Sequence, residues 1–187
     1  MLIQRYLIFA AFLLPIAAVA LQFFINKEKK SSYLGKPTLD PFNFYTGKLT
    51  LFIPWVLFMI KASYPGIGYL SVPLFLAWAA VGLLWAGTLI LTIALIQLGN
   101  SVAVGLPKEV TGLKTHGLYR FSRNPIYIGV FMMSIASVIY FPDLINAAFV
   151  LYGIYQHHQI ILGEEKFLSE RFGLEWKDYR KTVRRYF

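Results

Sequence analysis

Two adjacent carboxylates, Glu164 and Glu165, close a long apolar run, and well upstream Arg120, Arg123, Asn124 and Pro125 open another. Adjacent carboxylates repel each other, and near a helix C-terminus they also oppose the helix dipole. A cation relieves both costs; Arg123 is one candidate and a bound cationic ligand is another. Asn124-Pro125 has a purely structural reading as well, because Asn is a favoured N-cap and Pro a favoured first helical residue. Gln156-His157-His158-Gln159 falls inside an apolar run, where four consecutive polar residues point to a cavity or a partner and away from lipid. His157 and Glu164 are seven residues apart, on one helix face. His157 and His158 are candidate bases for an acceptor that must lose a proton. Their side chains diverge by about 100° on a helix and no third ligand is evident, so no metal site is expected. No nucleophile elbow, phosphate loop, HExxH or dinucleotide glycine pattern is present.

The elements that carry these residues are membrane spans. The chain is 57% hydrophobic and 14% charged, against about 25% charged in soluble domains. The absence of cysteine excludes disulfides, thiolate metal sites and cysteine nucleophiles. We read an all-α integral membrane protein with five spans: Tyr6 to Phe24, Leu49 to Ala62, Pro73 to Leu98, Ile126 to Phe141, and Leu144 to Leu162. The second is short and contains Pro54, so a re-entrant or interfacial piece is its alternative. The net charge of +9 follows the loops and not one face, which argues for topology and against a nucleic-acid partner. With five spans Lys27, Lys29, Lys30, Lys36 and Lys48 share a side with Lys108, Lys114, Arg120, Arg123 and the tail. Arg5 and Lys61 are left on the other, which puts the N-terminus outside and the C-terminus in the cytoplasm. Arg5 before an apolar run, with Ala18-Val19-Ala20 after it, also resembles a cleavable signal, although the run is long for one.

Phe141-Pro142-Asp143 is so short a link that spans four and five must be antiparallel neighbours with their cytoplasmic ends together. Beyond Gly173, a natural break, Trp176, Tyr179, Val183 and Tyr186 recur at helical spacing among Lys177, Arg180, Lys181, Arg184 and Arg185. That pattern predicts a basic amphipathic helix on the membrane surface. The whole, 1–187, reads as one membrane domain: N-terminal spans over 1–97, then a loop, a helical hairpin and a C-terminal segment over 98–187.

Gly117-Leu118-Tyr119, Arg123-Asn124-Pro125-Ile126-Tyr127, the hairpin, Glu164-Glu165 and Phe172-Gly173 together resemble the isoprenylcysteine carboxyl methyltransferase and phospholipid methyltransferase superfamily. The resemblance covers Leu98 to Phe187. It implies an integral membrane enzyme that transfers a methyl group from S-adenosylmethionine to a lipid-like acceptor. It also implies a cytoplasmic cofactor pocket beneath the C-terminal segment, open to the bilayer through a tunnel. Carried over by position, Thr111, Gly112, Leu113, Lys114, Tyr119, Asn124, Pro125, Ile126, Tyr127 and Glu164 form that pocket. Glu164 and Glu165 suit the cofactor's sulfonium and ammonium, and Arg123 or Asn124 its carboxylate. Asn124 stands where the isoprenylcysteine enzymes usually have His, Thr111 where His is frequent, and Ile160 where an Arg meets the substrate carboxylate. Those departures resemble the phospholipid N-methyltransferases, whereas the tail resembles the isoprenylcysteine branch.

Two rival readings use the same residues differently. Sterol reductases share a related hairpin and an Arg-x-Pro-x-Tyr pattern but bind NADPH and have more spans. A small membrane scaffold or transporter would use the His-Gln cluster as a solute site.

Overall fold

The computed structural model describes residues 2–25, 35–99, 105–106 and 112–186. Among them the regular elements are helices: α1 (Leu2–Ile25), α2 (Pro41–Ser63), α3 (Leu74–Leu98), α4 (Pro125–Tyr140) and α5 (Leu144–Thr182), with a 3-10 turn at Gly117–Arg120. Lys27, Lys29, Lys30, Lys108 and Thr111 lie outside the described residues.

Three helices, α1, α2 and α3, are long and apolar enough to cross a membrane. The second starts well before the expected Leu49. Asp40 accepts from the Asn43 backbone N–H at 3.1 Å and Pro41 takes the first turn. Lys48 therefore sits inside the helix and does not flank it. Pro54 is buried without ending α2, whose 23 residues are long and apolar enough to cross a membrane. Of the other two expected spans, α4 is apolar but has only 16 residues. The 39-residue α5 continues from the hairpin into the tail, kinked at Gly173, where φ is 51°.

Contacts between connections fix which helix ends lie together. Lys36 and Leu106 exchange backbone hydrogen bonds of 3.2 and 2.8 Å, tying the α1–α2 link to the α3–α4 link. At the opposite end Lys61 donates to the carbonyls of Pro65 and Ile67. Its ammonium there lies 5.8 Å from the Phe141 ring centroid in the α4–α5 turn. The five helices thus run alternately between two ends, with the polar loops and the tail at one of them.

Asp143 caps α5 through the N–H groups of Ile145 and Asn146, at 2.9 and 3.1 Å. The hairpin forms as expected, yet α4 packs chiefly along α3 and α5 along α2. Small residues explain this choice. A Cβ on Gly87 would lie 2.7 Å from the Gly129 carbonyl oxygen, and one on Gly129 would lie 2.6 Å from that of Gly87. Backbones come this close only where side chains vanish, the usual route to tight helix contact in lipid. Between α2 and α5, Gly47 and Gly153 instead make room for the side chains of Gln156 and Leu51. Around these crossings Ile8, Phe12, Phe58, Leu84, Met133 and Tyr140 form the core.

Gly129→Ala is expected to lower stability by about 1–3 kcal/mol through overpacking. Gly82→Ala, in α3 with nothing within 4 Å of its Cβ, is the matched control. Thermal unfolding in detergent should separate the two, and equal midpoints would contradict this account of the crossing.

Candidate functional site

The site is assembled where α4 begins. Gly117 has φ 62°, and a Cβ there would strike the Gln97 amide at 2.4 Å. Gln97 accepts from the Leu118 N–H at 2.8 Å, so α3 holds the turn that leads into α4. The chain then runs beside its own C-terminus: the Arg123 N–H donates to the Arg184 carbonyl at 3.0 Å and the Ser122 hydroxyl to that of Arg185 at 3.0 Å.

Glu165 occupies the centre of this junction, 8% exposed. Arg123 donates to its Oε1 from Nε and Nη2 at 3.1 and 3.0 Å. Arg185 reaches Oε1 from Nε at 3.1 Å and Oε2 from Nη2 at 2.9 Å. The Asn124 amide adds a bond of 3.2 Å to Oε1 and another of 3.2 Å to the Arg185 carbonyl. Arg123 Nη1 donates to the Val183 carbonyl at 2.6 Å. Burial opposes the charge on Glu165, but the bonds and field of Arg185 and Arg123 outweigh it and hold the carboxyl below its ordinary range. The Asn124 side chain makes no bond to the helix it precedes, so its expected capping role is replaced by this one. The partner expected in Arg123 is present. Arg185, in the basic tail, is a second that sequence reasoning missed; the demand of two carboxylates for more than one cation was the available signal.

Glu164 has a different environment. It lies just beyond the apolar stretch of α5, half-buried, and its Oε1 accepts from the Tyr127 hydroxyl at 2.8 Å. Burial pushes its carboxyl up to about 7, against the Tyr127 hydrogen bond and the Lys48 ammonium, and Glu165 adds to the rise. One carboxylate of the pair is engaged by two arginines, while its neighbour pairs with no cation within 4.0 Å among the described residues.

A cleft of about 160 Å³, partly open to solvent, runs beside Glu164. Gly112, Leu113, Lys114, Tyr119, Arg123, Asn124, Pro125, Ile126, Tyr127, Glu164 and Glu165 all line it. Thr111 falls outside the described residues. Phe167, Leu168, Phe172, Trp176 and Tyr179 add to the wall, with Leu98, Gly105 and Leu106. This changes the reading of the tail. Trp176 and Tyr179 are 2% and 8% exposed, packed with Val183 against Leu113, Leu168 and Phe172. The apolar face of the amphipathic helix covers the protein's own cleft, not a lipid surface. Tyr186 is not on that helix, which ends at Thr182.

The two histidines lie outside the cleft wall. His157 Nδ1 is 2.8 Å from the Gly153 carbonyl, which can only accept, so Nδ1 carries the proton and the neutral ring leaves Nε2 as an acceptor. Its ring packs edge-on against Tyr127, with centroids 5.8 Å apart, so the polar wall expected from His157 to Glu164 passes through Tyr127. His158 Nδ1 pairs with the Tyr186 hydroxyl at 2.7 Å.

A family model described as phospholipid methyltransferase matches residues 75–175, more than half of the 187. The chain belongs to this family. The match starts in α3, earlier than the Leu98 boundary of the motifs, and ends inside the cleft-covering segment. The curated protein-S-isoprenylcysteine O-methyltransferase A of Arabidopsis thaliana is 31% identical over 77 residues. That alignment covers 41% of this chain and 39% of the relative. No solved structure matches. The phospholipid methyltransferase family thus embraces α3, the 3-10 turn, α4 and most of α5, the elements that build the cleft.

Removing one partner of a buried ion pair costs roughly 3–5 kcal/mol. Glu165→Gln is therefore expected to release the tail and speed tryptic cleavage at Arg180, Lys181 and Arg184. Because its pKa is lowered, protonation as pH falls through and below the ordinary carboxylate range should release the tail of the native protein too. Cleavage rates unchanged by the substitution would contradict the clasp.

Proposed function

We propose that this chain is an integral membrane methyltransferase that uses S-adenosylmethionine to methylate a lipid-like acceptor. The observation that carries the reading is Glu164, a half-buried carboxylate whose one side-chain hydrogen bond among the described residues is to Tyr127, in the wall of an aromatic cleft. When bound, S-adenosylmethionine supplies a methyl group on a sulfonium, with an ammonium and a carboxylate beside it. The residues present fit such a molecule. Glu164 would neutralise a cationic centre, and Tyr119, Tyr127 and Trp176 offer aromatic faces to it. Lys114, half-buried in the wall and in no ion pair among the described residues, suits the carboxylate. Arg123 and Asn124 suit it less, since both are engaged with Glu165.

The protein's contribution to rate is positioning and exclusion of water. Trp176 and Tyr179 provide the cover, and the Glu165 clasp holds them there. His157, one ring behind Tyr127, would serve an acceptor that must lose a proton. The isoprenylcysteine relative favours a carboxyl acceptor and the family description a phospholipid amine. The α4–α5 hairpin would cross the membrane with α1, α2 and α3, leaving the N-terminus outside and the cleft cytoplasmic.

Since free Glu164 titrates near 7, affinity for the cofactor should rise from pH 6 to pH 8 and then level off. Glu164→Gln should weaken binding by about 10- to 100-fold, the range for a lost charge-assisted hydrogen bond, and flatten the pH dependence. Calorimetric titration reads both. Binding of NADPH in place of S-adenosylmethionine would favour a reductase, and binding of neither a scaffold or transporter. Labelled methyl transferred to lipid extracts and lost in mild base would mark a carboxyl acceptor; label that survives would mark an amine.

A further inference from the structure

Lys48 is a charged side chain in α2 that neither the clasp nor the cofactor cleft accounts for, and unlike Lys61 it donates to no carbonyl among the described residues. It lies within α2, half-buried, where an ionisable group needs a reason. Among the described residues Lys48 forms no ion pair within 4.0 Å; Glu165 is taken by Arg123 and Arg185, and Asp178 by Lys181.

Its direction is fixed by Phe44, one turn nearer the start of α2, whose ring centroid lies 4.7 Å from Nζ. The stem therefore runs toward the end of α2 where the cleft lies. Gly163, next to Glu164, meets Thr38 just before α2, which shows that the two ends coincide. The preceding residue, Gly47, is in contact with Gln156, so Lys48 stands at the α2–α5 contact. Its charge is felt by both Glu164 and His157. Asn43, Tyr152 and Gln156 form a hydrogen-bonded polar patch on the same helix pair, with bonds of 3.2 and 2.8 Å from Gln156 Nε2.

We propose that Lys48 anchors the acidic group of the lipid acceptor, at the α2–α5 contact on the membrane side of the cofactor cleft. The inference rests on the methyltransferase reading and adds to it the residue that would position the acceptor through its anionic oxygen. The charges would then alternate, from the Glu164 carboxylate through a cationic cofactor and an anionic acceptor to the Lys48 ammonium. That order avoids placing the acceptor's charge directly against Glu164. A carboxylate that is itself methylated and the phosphodiester of a phospholipid methylated at its amine present the same chemistry to Lys48.

The test is binding of labelled N-acetyl-S-farnesylcysteine, its methyl ester and phosphatidylethanolamine to the detergent-solubilised full chain without cofactor. Lys48→Gln should weaken binding of the free acid at least tenfold, and Lys48→Arg should keep it. The neutral ester should bind both proteins as weakly as the acid binds Lys48→Gln. Dependence on Lys48 for phosphatidylethanolamine alone would identify the anion as the phosphodiester and support the anchor equally. Equal binding of both lipids to wild type and Lys48→Gln, or no binding of either to wild type, would overturn the proposal. Titration of S-adenosylmethionine into the same wild-type preparation tests the functional reading separately, because cofactor binding with Lys48-independent lipid binding sinks only the anchor.

Discussion

A single buried carboxylate decides how the functional half of this protein is put together. Glu165 costs energy to bury and recovers it only by gathering Arg123 and Asn124 from the start of α4 and Arg185 from the tail. Those groups lie far apart along the chain, so satisfying one charge fixes three segments against one another. The bridge between Ser122 and Arg184 and the hydrogen bonds to the tail carbonyls follow from that arrangement. Remove the charge and Trp176 and Tyr179 keep only their packing on Leu113, Leu168 and Phe172 and the Tyr179 bond to the Tyr119 carbonyl to hold them over the cleft.

With the clasp in place, the neighbouring Glu164 is left, among the described residues, with the Tyr127 hydroxyl. Two adjacent identical side chains acquire opposite properties because one faces arginines and the other faces a cleft. The scaffold beneath them is held differently. Glycines bring the α3 and α4 backbones together and make room for side chains between α2 and α5, and this packing sets where the hairpin presents its polar end.

Much of this was legible in the sequence. The helical class, the hairpin, the break at Gly173 and the meeting of Arg123 with the Glu pair follow from periodicity, link length and the cost of unpaired charge. The roles of Asn124 and the tail were not. A cap and a clasp call for the same Asn, and only the position of Arg185 tells them apart. Trp176 and Tyr179 have the spacing of a membrane-surface helix whether they meet lipid or protein; the kink that turns them inward lies in the φ of Gly173. Lys48 reads as a loop anchor until Asp40 and Pro41 are seen to start α2 so early. The choice between three and five spans exceeds what hydropathy decides, because α4 is short and α5 carries its polar cluster within the apolar stretch.

The central claim is that Glu164 is held near neutrality and ionises to receive a cation. Its most direct test is the number of protons released when S-adenosylmethionine binds, obtained calorimetrically at pH 7 in buffers of differing ionisation enthalpy. With a carboxyl at about 7 that is driven to ionise on binding, about half a proton should leave the wild-type protein and none the Glu164→Gln variant. Proton release that is zero in both, or equal in both, would contradict the account and place the cation elsewhere in the cleft.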